Sequence, residues 1–307
     1  MSSVQGQDFL SMADISVEEL ERLLDVAAAL KSKEVKLRRD KVLGLLFSKA
    51  STRTRVSFSV AMHQLGGQVI DLNPSVTQVS RGEPLIDTAR VLDRYLDAMV
   101  IRTFEHKDLE TFAEYAEIPI INGLTDREHP CQVLADLLTV KENFEQLAGL
   151  TLSYFGDGAN NMAHSLLLGC AMSGMNIRIA SPSGHQPDPK IVQQTKEIAA
   201  GKTEVVITED AQAAAQGANI FYTDVWASMG QEAEATARIP LFQPFQVNSD
   251  LVAHGAEDAI ILHCLPAHRD EEITDEVIES QQSRIWDQAE NRMHAQKALL
   301  ASILKED

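Results

Sequence analysis

Hydroxyl and guanidinium side chains crowd into one short stretch, Ser51-Thr52-Arg53-Thr54-Arg55. All of them donate hydrogen bonds, as do the free backbone N–H groups at the start of the helix expected next. Helix starts favour anions, and Arg offers phosphate a forked contact. One reading is a phosphate or carboxylate site. The other is a polar turn whose Ser and Thr only cap the helix. Both can hold, because capping and anion binding use the same donors. The Gly-rich run and Lys of a nucleoside-triphosphate loop are missing. The 307-residue chain is strongly acidic, with 45 Asp and Glu against 27 Lys and Arg and a net charge of -18. Such a field repels nucleic acid and anionic membranes, yet a few Arg at contact distance overrule it locally.

Five further groups could do chemistry. Arg102 ends a predicted strand, where it can reach a ligand or make a structural ion pair. His129-Pro130-Cys131-Gln132 precedes a helix started by Pro; no second pair with ligand spacing follows, so zinc is not expected. Gly156-Asp157-Gly158-Ala159-Asn160-Asn161 follows a strand and hints at a dinucleotide turn, but the third Gly is replaced by Asn161. The plainer reading is a tight turn with Asn160 or Asn161 capping a helix. Asp224-Val225-Trp226-Ala227-Ser228-Met229-Gly230 and His263-Cys264-Leu265-Pro266 also follow strands. An acid there can meet a ligand ammonium or merely cap a helix, and Trp226 can close a core. Cys264 is a thiol nucleophile or, more often, an inert buried thiol.

These loops need strands to carry them. Apolar runs at 42–47, 68–72, 98–101, 119–121, 150–155, 176–180, 204–207, 219–222 and 259–262 read as buried strands. Helical spacing fills the gaps, from an opening helix announced by the Ser16/Glu19 capping box to a last one over about 289–304. Helices are also expected at 84–96, 108–116, 130–140 and 161–173. Strand–helix alternation predicts an α/β chain of two domains, 1–145 and 146–307, each a parallel sheet with helices on both faces. The last helix is able to pack back onto the first domain. Ligands bind outside the carboxyl ends of such strands, where all these motifs fall. Three cysteines (131, 170 and 264) form no disulfide framework, no secretory signal opens the chain, and no apolar run approaches a membrane span. A cytoplasmic protein is expected.

Phe47-Ser48-Lys49-Ala50-Ser51-Thr52-Arg53-Thr54-Arg55 resembles the carbamoyl-phosphate signature of the aspartate and ornithine carbamoyltransferases, with Lys49 as in the ornithine branch. The His129, Asn161, Asp224 and Cys264 motifs resemble the same branch in the same order over nearly the whole chain. The resemblance implies transfer of a carbamoyl group from carbamoyl phosphate to the δ-amino group of L-ornithine, giving L-citrulline and phosphate in arginine biosynthesis. It implies that Ser51, Thr52, Arg53, Thr54 and Gln78 hold the phosphate, and that Arg102, His129 and Gln132 grip the carbamoyl group. Arg292 would reach carbamoyl or phosphate oxygens, and the carbonyls of Cys264 and Leu265 would accept from the carbamoyl NH2. Asn161, Asp224, Ser228 and Met229 would bind ornithine, with Cys264 against its δ-amine; Arg102, His129, Asp224 and Cys264 form the catalytic set. No cofactor or metal is implied, and the assembly would be a homotrimer or a multiple of it. Carbamoyl transfer to another amine such as putrescine, a non-catalytic ornithine-binding protein, and a dinucleotide-binding protein built on Gly156-Asp157-Gly158 are the alternatives.

Overall fold

A computed structural model describes residues 4–31, 40–73, 82–227 and 235–304. Packing divides the chain into two units, Met1–Leu138 with Asn291–Asp307, and Thr139–Glu290. The first holds a four-stranded sheet of β1 (Val42–Phe47), β2 (Gln68–Leu72), β3 (Ala98–Arg102) and β4 (Ile120–Leu124), in the order β2-β1-β3-β4. The second holds five strands, β5 (Thr151–Phe155), β6 (Asn176–Ala180), β7 (Val205–Thr208), β8 (Ile220–Thr223) and β9 (Ile260–His263), in the order β7-β6-β5-β8-β9. Every ladder is parallel. Parallel sheets are covered on both faces, so central strands are apolar throughout. β3 and β5 are buried at every position, whereas the edge strand β2 is mostly exposed.

In each sheet the chain starts at an inner strand and works outward in both directions. The strand order therefore reverses beside β1 in one unit and beside β5 in the other. A crevice opens at such a reversal, outside the carboxyl ends of the strands.

The opening helix Val17–Lys31 is capped reciprocally, with Glu19 N–H donating to Ser16 Oγ and Ser16 N–H donating to Glu19 Oε2. Some bounds differ from the periodicity. β4 runs on to Leu124 instead of stopping at 121, because polar and small residues fit inside it. Asn122 is fully buried and donates to the Leu10 carbonyl (2.7 Å), and a Cβ on Gly123 would meet Val100 Cγ1 at 2.9 Å. The helix Leu85–Leu92 ends four residues early, where Asp93 turns to accept from the N–H groups of Glu117 and Ile118. The helix Pro130–Phe144 and the last helix, Ile285–Ile303, are longer than their apolar spacing suggested. Among the described residues, no helix is long and apolar enough to cross a membrane.

Candidate active site

In the first unit, β1, β3 and β4 each deliver one motif at the carboxyl end. Phe47, the last residue of β1, pairs with Arg102, the last of β3, and Ser48 N–H donates to the Arg102 carbonyl (2.8 Å). The loop after β1 is thereby hung beside Arg102. The helix Thr52–Gln64 then starts with Ser51 as its cap, whose Oγ accepts from Thr54 N–H. Thr52 and Arg53 are exposed at this helix start, and Thr54 is buried.

Arg55 takes no part in this cluster. It pairs with Asp71 of β2 and lies over the Phe47 ring (4.9 Å). Arg292, from the last helix, is buried and donates to Thr54 Oγ1 (2.7 Å) and Gln132 Oε1 (2.9 Å). Gln132 in turn donates to Asp136 (2.8 Å). Thr54, Arg292, Gln132 and Asp136 thus form one buried chain of hydrogen bonds, which fixes the guanidinium plane.

The charge of this half-site is set by burial. His129 is held well below its ordinary pKa by desolvation, with Arg292 and Arg102 adding to the effect. Its imidazole is therefore neutral and can donate one hydrogen bond without adding charge. Lys49, whose Nζ sits over the Phe104 ring (4.4 Å), is also lowered, first by burial and then by Arg102. A site with Arg53, Arg102 and Arg292 suits an anion, and a neutral donor suits a carbonyl oxygen. Gln78 lies outside the described residues.

In the second unit, β5, β8 and β9 converge in the same manner. The turn after β5 needs its glycines for packing. Gly156 has φ +131°, and a Cβ on Gly158 would meet the His185 carbonyl and Ser181 Oγ at 2.9 Å. Protein therefore fills the space that a pyrophosphate would need at Gly158. Asp157 pairs with the buried Arg238, and Trp226 stacks on Phe242 (6.0 Å), closing the core here.

Asn160 is the helix cap: its Oδ1 accepts from Ala163 N–H (2.9 Å), and its Nδ2 donates to Tyr154 Oη (2.8 Å) and Asp224 Oδ2 (3.4 Å). Asn161 is the first residue of the helix Asn161–Met172 and is half-buried. Asp224, just past β8, is buried and accepts from the Cys264 thiol at 3.1 Å. Desolvation raises its pKa, against the opposing pull of hydrogen bonds from Cys264 and Val225 N–H. Tyr154 is raised well above its ordinary value by burial, then by Asp224. The half-site is a desolvated acid with a thiol beside it, suited to a cationic or amine ligand. Ser228 and Met229 lie outside the described residues.

Cys264 is the one cysteine of the three that is not buried. One donor atom each from Asp224, His263 and Cys264 fall within 4.8 Å of one another, as do those of His268, Glu271 and Glu272. In each set one member is already committed to protein partners. Both ring nitrogens of His263 are occupied, Nε2 by Glu272 (3.0 Å) and Nδ1 by Leu265 N–H (2.9 Å). Glu272 also accepts from His268 N–H (2.6 Å).

Sequence reasoning passed over Asp136, Tyr154, Glu272 and Gln288. Glu272 ends an acidic run, Asp270-Glu271-Glu272, that looks solvated, yet its own side chain is fully buried. Gln288 accepts from His263 N–H (2.8 Å) and donates to Tyr222 Oη (3.1 Å). Only its place one turn before the Arg292 segment could have drawn notice.

Residues 7–142 match the family model described as aspartate/ornithine carbamoyltransferase, carbamoyl-P binding domain. Residues 148–303 match the companion Asp/Orn binding domain. The ornithine carbamoyltransferase of Nostoc punctiforme is 68% identical over 304 residues, covering 99% of both chains. The solved ornithine carbamoyltransferase of Pyrococcus furiosus is 47% identical with a TM-score of 0.95, covering 99% of both chains. That of Gloeobacter violaceus is 56% identical with a TM-score of 0.88, covering 97% of this chain and 98% of the other. With two family models spanning nearly its full length, the chain belongs to the aspartate/ornithine carbamoyltransferase family.

Proposed function

We propose that the chain transfers the carbamoyl group of carbamoyl phosphate to the δ-amino group of L-ornithine, releasing L-citrulline and phosphate as a step of arginine biosynthesis. The observation that carries the ornithine reading is the buried Asp224 carboxylate bonded to the Cys264 thiol at the carboxyl ends of β8 and β9. An α-ammonium group needs such an acid, and an amine nucleophile needs such a desolvated place. The 68% identity to an ornithine carbamoyltransferase supports the same reading.

Residues 1–145 are assigned the carbamoyl-phosphate half, with the last helix packed back onto it, and residues 146–307 the ornithine half. Ser51, Thr52, Arg53, Thr54 and Gln78 hold the phosphate. Arg102, His129 and Gln132 grip the carbamoyl oxygen, and Arg292 spans carbamoyl and phosphate. The Cys264 and Leu265 carbonyls accept from the carbamoyl NH2. Asn161, Asp224, Ser228 and Met229 bind ornithine. Attack on the carbamoyl carbon puts negative charge on its oxygen, and donors fixed in advance lower that barrier. The buried hydrogen-bond chain through Arg292 and the neutral His129 supply such donors. Ornithine's δ-amine has a water pKa of about 10.4, like Lys. Only the neutral amine attacks, and desolvation beside Cys264 lowers that value.

The active form is taken to be a cytoplasmic homotrimer. Val56 and Val60 project one turn apart from the helix Thr52–Gln64, and Ile70 from the edge strand β2, and all three are exposed in the single chain. The Arg55–Asp71 pair ties that helix to that strand, so the apolar residues lie on neighbouring elements suited to a second copy.

The test is a citrulline assay with carbamoyl phosphate and either ornithine or putrescine. Saturable citrulline formation with little putrescine turnover is expected. Preference for putrescine, which has no α-ammonium for Asp224, would overturn the assignment.

A further inference from the structure

We infer that Glu272 is a positioning residue for the reaction: paired with His263 inside the protein, it fixes which ring nitrogen of His263 carries the proton, and so holds the Leu265 backbone beside Cys264. The inference rests on the function proposed above, which places carbamoyl NH2 against the carbonyls of Cys264 and Leu265.

Both partners are fully buried, with His263 Nε2 at 3.0 Å from Glu272 Oε1. A carboxylate only accepts, so Nε2 must carry the hydrogen. A neutral imidazole then offers a lone pair at Nδ1, and that lone pair receives Leu265 N–H at 2.9 Å. In the other tautomer, two N–H groups would face each other at Nδ1, and a lone pair would face the carboxylate at Nε2. Glu272 thus selects the only proton arrangement that binds Leu265.

The binding matters because Leu265 has φ +58°. A Leu adopts the left-handed region only where its surroundings impose it. Release of its N–H would let the backbone relax, swinging the Leu265 carbonyl and the adjoining Cys264. The same carboxylate also accepts from His268 N–H at 2.6 Å, so it ties both arms of the loop 263–272 together. Gln288 holds the start of this loop as well, accepting from His263 N–H at 2.8 Å.

The pair is not a proton relay to the thiol. Nδ1 is taken by Leu265, and the Cys264 thiol donates to Asp224. Glu272 therefore acts by holding the loop and not by passing a proton to the thiol.

Steady-state kinetics of the full chain with Glu272→Ala and Glu272→Gln test this. Glu272→Ala is expected to lower kcat about 30- to 100-fold, the scale of a small misplacement of reacting groups, while KM for carbamoyl phosphate changes little. Gln keeps an acceptor oxygen for Nε2–H, so Glu272→Gln is expected to stay within about threefold of wild type. Glu272→Ala at wild-type kcat, or Glu272→Gln as slow as Glu272→Ala, would overturn the inference. Should Glu272→Ala fail to fold, nitrogen NMR of the wild-type chain labelled with 15N-histidine decides, with His263 assigned by its loss in His263→Asn. The Nε2–H tautomer supports the inference, and the Nδ1–H tautomer or an imidazolium overturns it. A wild-type chain that makes no citrulline but carbamoylates another amine defeats the functional reading alone. The Glu272 comparison then runs on that amine.

Discussion

The two sheets end in opposite electrostatic surroundings although they are built alike. At the carboxyl edge of the first, Arg53, Arg102 and Arg292 supply charge that no accessible pH removes, and His129 is kept neutral by burial. At the edge of the second, the charge rests on Asp224, whose burial makes ionisation harder, with Cys264 as its hydrogen-bond donor. The same topology thus carries a permanent cationic site in one unit and a titratable acidic site in the other. Fixed charge suits a phosphate that is always anionic. Titratable charge suits a substrate whose amine must lose a proton before it can react.

The largest effect is expected at Arg102. Arg102→Ala should lower kcat by about 10²–10³-fold, the loss measured when one donor to a developing oxyanion is removed, or roughly 3–4 kcal/mol. The drop should be nearly constant between pH 6 and 9, since no titrating group is exchanged. A loss that varied steeply with pH across that range would mean the first half-site is not governed by fixed charge.

A smaller but pH-shaped effect is expected at the acid. Asp224→Asn should reduce kcat/KM for ornithine by about 30- to 300-fold, as for truncating one member of a buried charge pair. In wild type, kcat/KM should fall on the acid side as Asp224 takes up its proton, at a pH higher than for an ordinary Asp because burial raises its pKa. That limb should disappear in Asp224→Asn. Its persistence there would transfer the titration to another group and end the contrast between the halves.

How much of this was visible in one dimension follows from what each contact spans. The motif loops could be placed because each follows an apolar run that must be a strand, and a strand's carboxyl end is where such loops belong. Choosing between Asn160 and Asn161 needed the helix start, since the cap is whichever Asn accepts from Ala163 N–H. Links such as Arg292 to Thr54 or Arg238 to Asp157 join residues far apart in the chain, and no local spacing encodes them. Glu272 and Gln288 were missed for the opposite reason, because their polarity suggested surface while the fold buries them. Gln78, Ser228 and Met229 fall outside the described residues, so their placement in the half-sites rests on the motif alone.

The smallest effect is expected at a buried acid that runs against the charge of its own unit. Glu128 is an acid in the cationic unit, fully buried, with its pKa pushed up to about 6 by desolvation. Its Oε2 accepts from Met12 N–H at 3.1 Å. An acid harder to ionise when folded costs stability as pH rises from its usual 4.5 through about 6, because the unfolded chain ionises first. Glu128→Gln should therefore raise stability at pH 8 by up to about 2 kcal/mol, less whatever the lost hydrogen bonds contributed. The gain should shrink to nothing near pH 4. Urea unfolding midpoints at the two pH values measure it, and equal shifts at both would show that Glu128 does not titrate on folding.

Arg292 belongs to the first unit through residues that follow the whole of the second in the chain. On the ribosome, residues 1–138 emerge first, yet Thr54 and Gln132 wait for Arg292 until all of 139–290 has been made. The earlier half therefore cannot complete this buried hydrogen-bond chain by itself. A nascent chain holds no closed Thr54–Arg292–Gln132 chain of hydrogen bonds until the second sheet has also been synthesised.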